Sequence, residues 1–243
     1  MPSYLTVYPD ADPESKTVDG RMYYSGNADW ATTHDALTGV GVQDSATSGN
    51  TCLVGKNGGG DFNIQRPAFF FDTSSLGADS TITAAVFSLW VIDTYEGDND
   101  GDDWVNVVQP AKASFAGYVA SPESLTSLAT ADYDLVGAVS NPTEGSTRKD
   151  LTAGITEGAY NDWTLDAIGR GWIYQTAITG LGMREGHDAL NSAYAGAAGT
   201  WNSIDTYFAE QGGAGTTQDP KLYITYTPAV TAKAGLLMQL ATA

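Results

Sequence analysis

Apolar residues in this chain come in short bursts separated by stretches of Gly, Ser, Thr, Asn and Asp. The most regular burst is Ile82-Thr83-Ala84-Ala85-Val86-Phe87-Ser88-Leu89-Trp90-Val91-Ile92. Its core alternates apolar with small or polar residues, the period of a half-buried strand. Shorter runs predict strands at 51–54, 66–72, 104–109, 163–165, 181–184, 206–209 and 221–226, with a first short strand inside residues 21–30. Gly58-Gly59-Gly60 marks a turn between the strands at 51–54 and 66–72; no GK[ST] follows it, so it is not a phosphate loop. In residues 1–20 the prolines Pro2, Pro9 and Pro13 oppose regular structure and predict a polar lead-in.

Two places predict helix. In residues 121–133, Ser121 can act as N-cap with Pro122 in the first position and Glu123 near the positive end of the dipole. Residues 166–173 fit one or two helical turns. Many short strands divided by turn signals, with one or two short helices, predict an all-β fold: an antiparallel jelly-roll β-sandwich. No repeat or linker splits it. The expected organisation is a lead-in over 1–17, one sandwich domain over 18–227, and a tail over 228–243. The tail is free of acidic residues and carries the apolar cluster Leu236, Leu237, Met238 and Leu240. Alone it is too short for a stable helix in water; it is either a frayed terminus or an assembly contact through those four residues, on the domain itself or on a neighbouring subunit.

Composition narrows the function classes. The 243 residues hold 11 Lys+Arg against 29 Asp+Glu, a net charge of -18, which argues against a nucleic-acid partner. The balance suits an acidic, soluble exterior, a saline setting or cation binding. No apolar run approaches the ~18 residues that would predict a membrane span. The one cysteine, Cys52, excludes an internal disulfide framework and, beside Leu53 and Val54, reads as a buried small residue. The N-terminus has neither a basic nor an apolar leader region, so no conventional signal peptide is expected.

Residues 95–104, YEGDNDGDDW, concentrate the acidity. Asp98, Asp100 and Asp102 alternate, with Asp103 adjacent, and calcium takes about six to eight oxygen ligands from such loops. Gly101 is fourth from Asp98 and the twelfth residue is Gln109, so the stretch is not an EF-hand. It is a Ca2+ site, a solvated loop or an acidic patch for a partner. His34 and His187 lack metal-ligand spacing and read as structural; Asp188 beside His187 makes no triad, because no nucleophile motif accompanies it. Trp30, Trp104 and Trp201 lie in polar or Gly-rich surroundings and are the candidates for stacking on sugar rings, whereas Trp90, Trp163 and Trp172 sit in apolar patterns.

The stretch RPAFFFDTSSLGADSTITAAVFSLWV (66–91), followed in order by WTLDAIGRGWI, ITGLGMREGHD and DPKLYITY, resembles the DNRLRE-type, carbohydrate-binding-module-like β-sandwich domains over roughly residues 18–227. That resemblance implies a jelly-roll sandwich of the kind found in secreted, cell-wall-associated and phage structural proteins, with no catalytic residues of its own. The expected function is therefore a non-enzymatic structural protein of an extracellular particle, such as a phage or virus capsid-decoration, tail or fibre component. Its partners would be other virion or fibre subunits, or further copies of itself, at a virion or extracellular surface. The alternative is a carbohydrate-binding module attaching to a polysaccharide. A hydrolase ranks third, since it needs two carboxylates a few ångströms apart and sequence nominates no pair.

Overall fold

A computed structural model describes residues 1–212, 215 and 217–229. The tail cluster Leu236, Leu237, Met238 and Leu240 lies outside the described residues. The strands are β1 (Ser3–Val7), β2 (Asp19–Asn27), β3 (Gly41–Gln43), β4 (Ser48–Lys56), β5 (Phe62–Asp72), β6 (Thr81–Tyr95), β7 (Trp104–Val108), β8 (Tyr118–Ala120), β9 (Glu123–Leu125), β10 (Lys149–Asp150), β11 (Ala159–Thr164), β12 (Ile178–Glu185), β13 (Trp201–Tyr207) and β14 (Lys221–Thr227). Three five-residue helices accompany them: α1 (Trp30–His34), α2 (Ala167–Gly171) and α3 (Gly186–Leu190). The fold is the expected all-β sandwich. Twelve strands join in one curled antiparallel sheet along the path β1-β14-β6-β13-β4-β5-β12-β7-β10, with β11 on β6, and β2 on β5 carrying β3.

Two long strands turn the sheet onto itself. The first half of β6 pairs with β14 and its last turn of residues with β13. β5 pairs with β4 over Phe62–Gln65 and with β12 over Ala68–Asp72. Because successive strand residues face opposite ways, Phe87, Leu89 and Val91 of β6 meet Phe69 and Phe71 of β5 in the main core, with Leu181, Met183, Ile204, Leu222 and Trp163. Phe70 points to the other side, where Phe115, Leu125, Tyr133 and Val136 cover the sheet in a second apolar layer. Cys52 is fully buried and its thiol pKa is pushed up by that burial. Among the described residues no helix is long and apolar enough to cross a membrane.

Two local expectations give way to tertiary partners. Residues 121–133 do not begin a helix: β8 and β9 form a hairpin reversed at Ser121-Pro122, and a 3-10 turn follows over Thr130–Leu135. Glu123, read as a helix residue, instead accepts from Lys112 Nζ at 2.6 Å and from the Ile178 N–H at 2.8 Å, contacts only an extended backbone here allows. The lead-in also contains a strand. Leu5 and Val7 pack on the main core while β1 pairs with β14, and Pro2 and Pro9 fall just outside the paired residues. The turn at 166–173 does form α2, with Asp166 accepting from the Ile168 and Gly169 N–H groups as its N-cap.

Candidate functional site

Strand pairing decides where the acidic loop goes. β7 runs antiparallel to β12, with Val105 opposite Glu185, so the loop entering β7 lies against the turn leaving β12. The two segments touch closely: a Cβ on Gly186 would stand 2.0 Å from the Asp102 carbonyl oxygen. This contact brings His187, 87 residues away in sequence, into the acidic loop.

His187 is fully buried, with carboxylates on both ring nitrogens. Glu185 Oε1 lies 3.0 Å from Nδ1, and Asp98 Oδ2 and Asp100 Oδ2 each lie 3.3 Å from Nε2. Asn202 braces the cluster, its Nδ2 donating toward Asp98 Oδ1 at 3.1 Å, Asp103 Oδ1 at 2.7 Å and Glu185 Oε1 at 3.0 Å. Burial pushes the Glu185 carboxyl up to about 7, against the pull of His187. Burial alone would lower His187, but the Glu185 hydrogen bond and the charges of Glu185, Asp98 and Asp100 raise it to about 9. Of the four acidic candidates, Asp98 and Asp100 converge with His187. Asp103 turns to Asn202 and the Gly101 N–H, and Asp102 lies on the side of Arg148, whose guanidinium it helps to keep charged.

His34 and Asp188 belong to a different, structural unit. Asp188 sits between two buried guanidinium groups, accepting from Arg66 Nη2 at 2.8 Å and from Arg184 Nε, and His34 Nε2 lies 2.8 Å from the Asp188 carbonyl oxygen. This places Asp188 in an ion-pair network.

A second feature lies where the core ends. On β5 the face that carries Phe71 and Phe69 continues past Pro67 as Gln65 and Asn63; on β6 the register shifts by one residue between Val91 and Asp93, which sets Thr94 opposite core residue Ile204 and turns Asp93 and Tyr95 to the other face. β4 and β13 complete the surface: Ser203 stands opposite Tyr95 and Leu53, Trp201 opposite Gly55, and Asp205 opposite Asp93 and Asn50. These residues share the outer face of the sheet, away from Ile204 and Cys52, and open to solvent. A cavity of about 300 Å³ lies along it, lined by Asn50, Leu53, Lys56, Asn57, Asn63 and Trp201. A neighbouring hollow of about 240 Å³ shares Asn50 and Trp201 and adds Asp93, Tyr95, Ser203 and Asp205. Tyr95 is 46% exposed, and its ring centre lies 5.2 Å from that of Trp201 at 34°. Asn63 Oδ1, Gln65 Oε1, Asp205 Oδ1 and Arg21 Nε are buried here without a hydrogen-bond partner among the described residues.

The three tryptophans proposed as sugar platforms separate at this point. Trp201 lines the groove. Trp104 is only 6% exposed, with the Arg148 guanidinium 3.7 Å from its ring centre. Trp30 packs on His34 and Phe62 and donates Nε1–H to Asn191 Oδ1 at 2.8 Å, so its ring is committed to the fold. Burial of Trp104 follows from its opening β7, where it faces the Gly186 turn rather than the acidic loop's exterior.

A carboxylate group elsewhere carries a pH signature. Asp12, Glu14 and Glu210 hold oxygens within 4.8 Å of one another. Burial first and the neighbouring Asp12 second push Glu14 up to about 7; burial, then the charges of Asp12 and Asp44, do the same for Glu210. A carboxyl raised in the folded state binds more protons than in the unfolded chain between its ordinary value and about 7, so stability falls as pH rises through that window. The melting temperature is therefore expected to be higher at pH 5 than at pH 7.5. Glu210→Gln should recover about 1 kcal/mol at pH 7.5, after allowance for solvent screening of this half-buried group. A melting temperature that climbs from pH 5 to 7.5 in the unsubstituted protein would contradict this.

No protein-family model matches the chain, and no curated protein matches it.

Proposed function

We propose that this protein is a carbohydrate-binding β-sandwich whose groove on the outer face of β6, β13, β4 and β5 receives a segment of polysaccharide. One observation carries the reading. An aromatic pair, half-buried Trp201 and exposed Tyr95, stands over a floor of amides and carboxylates, several of whose buried polar atoms lack partners among the described residues. Sugar rings present apolar faces that stack on such aromatics and rims of hydroxyls that pair with such groups. An unpaired buried acceptor costs about 1–3 kcal/mol, which a ligand hydroxyl would offset on binding. A particle surface is one setting in which such a module would work, so the groove is compatible with a role as a capsid-decoration, tail or fibre component.

Affinity gels cast with soluble polysaccharides, followed by calorimetry on whichever retards the protein, test the proposal. Trp201→Ala should weaken binding about tenfold or more while leaving the melting temperature nearly unchanged. Equal retardation of the two proteins, or no retardation across neutral and acidic polysaccharides, would refute it.

Hydrolysis is the competing reading, favoured by Asp93 standing opposite Asp205 in the same groove. Burial first, then Asp93, raises the Asp205 carboxyl, a pairing reminiscent of an acid beside an ionised carboxylate. Release of reducing sugar that Asp205→Asn abolishes would select this reading over simple binding.

A further inference from the structure

The acidic loop holds a donor set that calcium does not explain. We propose that Asp98, Asp100 and His187 bind a divalent ion of the zinc class, an ion that accepts both imidazole nitrogen and carboxylate oxygen, with Glu185 fixing the histidine from behind. The proposal is independent of the sugar reading.

Four observations converge on it. First, the spacing fits. Two ligands about 2.0–2.1 Å from a tetrahedral ion stand about 3.3–3.4 Å apart, and Asp98 Oδ2 and Asp100 Oδ2 are each 3.3 Å from His187 Nε2. A charge-assisted hydrogen bond would bring those atoms to about 2.7–2.9 Å. Second, the Asp98 side chain is only 5% exposed, and its Oδ2 is buried without a hydrogen-bond partner among the described residues while aimed at the histidine. Third, the other imidazole nitrogen already has its partner: Glu185 Oε1, fully buried, is 3.0 Å from Nδ1. A histidine that gives its Nδ1–H to a carboxylate presents Nε2 as a ligand, the arrangement that orients imidazoles on metals. Fourth, the pieces are held in advance. Asn202 bonds both Asp98 and Glu185, and Glu185 also accepts the His187 N–H at 2.8 Å.

The nitrogen donor selects the ion class. Calcium favours six or more oxygens, whereas imidazole with carboxylates suits zinc and its first-row neighbours. Asp100, with a side chain 38% exposed, marks the side where water would complete the coordination.

The alternative occupant of this geometry is a proton on His187, making an internal imidazolium that neutralises the loop. Metal uptake by the full chain distinguishes the two. Protein stripped with a chelator is titrated calorimetrically with Zn2+ and, separately, with Ca2+, and Co2+ is added as a spectroscopic probe. The expected result is one equivalent of Zn2+ bound at micromolar concentration or tighter, at least tenfold more tightly than Ca2+, with visible Co2+ bands of a low-coordinate nitrogen–oxygen site. His187→Gln should abolish those bands. Glu185→Gln, which leaves every proposed ligand in place, should weaken Zn2+ about 10- to 100-fold. Asp98→Asn retains an acceptor for Asn202, so it removes the ligand with the least risk to folding, and circular dichroism on each variant checks the fold. Absence of stoichiometric Zn2+ uptake overturns the proposal in favour of the imidazolium. Uptake unchanged by both His187→Gln and Asp98→Asn also overturns it, as does a preference for Ca2+, which would assign the loop to oxygen ligands alone.

Discussion

Asp188→Asn should destabilise the protein by about 3–5 kcal/mol, the loss seen when one partner of a buried ion network is removed. Arg66, Arg184 and Asp188 are each no more than 1% exposed, so neutralising the carboxylate leaves two guanidinium charges buried together. Burial works against the Asp188 charge, yet Arg184 and Arg66 outweigh it and hold the carboxyl down at about 2. The sign follows directly. A carboxyl depressed in the folded state contributes stability above its ordinary value and loses it as pH falls toward 2. The variant should therefore lose its deficit relative to the parent over that acidic range, while showing it in full at pH 7.

The two arginines do more than balance charge. Arg66 donates to the carbonyl oxygens of His34 at 2.8 Å and Tyr133 at 3.2 Å; Arg184 donates to those of Val136 at 3.1 Å and Val139 at 2.8 Å. They tie α1 and the 133–139 segment to β5 and β12. Replacing the whole triad with apolar residues, which is often neutral for a buried ion network, would here leave those carbonyls unpaired. The triple variant should remain destabilised. Urea unfolding followed by tryptophan fluorescence measures both; a loss under about 1 kcal/mol for Asp188→Asn would mean that the network is dispensable.

What the sequence made legible, and what it hid, follows from how local each signal is. The strand in residues 82–92 is written in its own alternation, and it forms within β6. The helix expected at 121–133 failed because Glu123 is claimed by Lys112 and Ile178, the latter 55 residues away, and no local preference records such a partner. The same divide runs through the candidate sites. Asp98 and Asp100 could be nominated from alternate spacing in one loop. His187 could not, since only the pairing of β7 with β12 brings it there. Of the three candidate tryptophans only Trp201 reaches the groove, because polar sequence neighbours do not reveal what packs across a ring from another strand. The groove itself draws on four strands, and a register shift in β6 after Val91 decides that Asp93 and Tyr95 face it rather than the core, which no local alternation records.

Phe87→Ala tests the interior on the opposite face of that sheet, and its expected cost is about 3–5 kcal/mol. Phe87 is fully buried at the centre of the aromatic core, 5.1 Å from Phe69, 6.0 Å from Phe71 and 6.2 Å from Trp163, measured between ring centres. It stands opposite Trp163 on β11 and Leu222 on β14, so the cavity left by truncation has a wall on three strands. Rigid hydrogen-bonded strands collapse little into such a space, which puts the cost toward the upper end of that range. Phe87 and Tyr95 lie on one strand but eight residues apart and on opposite faces, and the intervening Val91 pairs with both β11 and β13. Below its unfolding transition the variant should therefore keep its groove, and any polysaccharide affinity should change less than threefold while the urea midpoint falls sharply. A stability loss under about 1.5 kcal/mol would show that the core refills easily. A loss of binding in the still-folded variant would show that the groove's geometry depends on tight packing eight residues along the strand, not on Trp201 and Tyr95 alone.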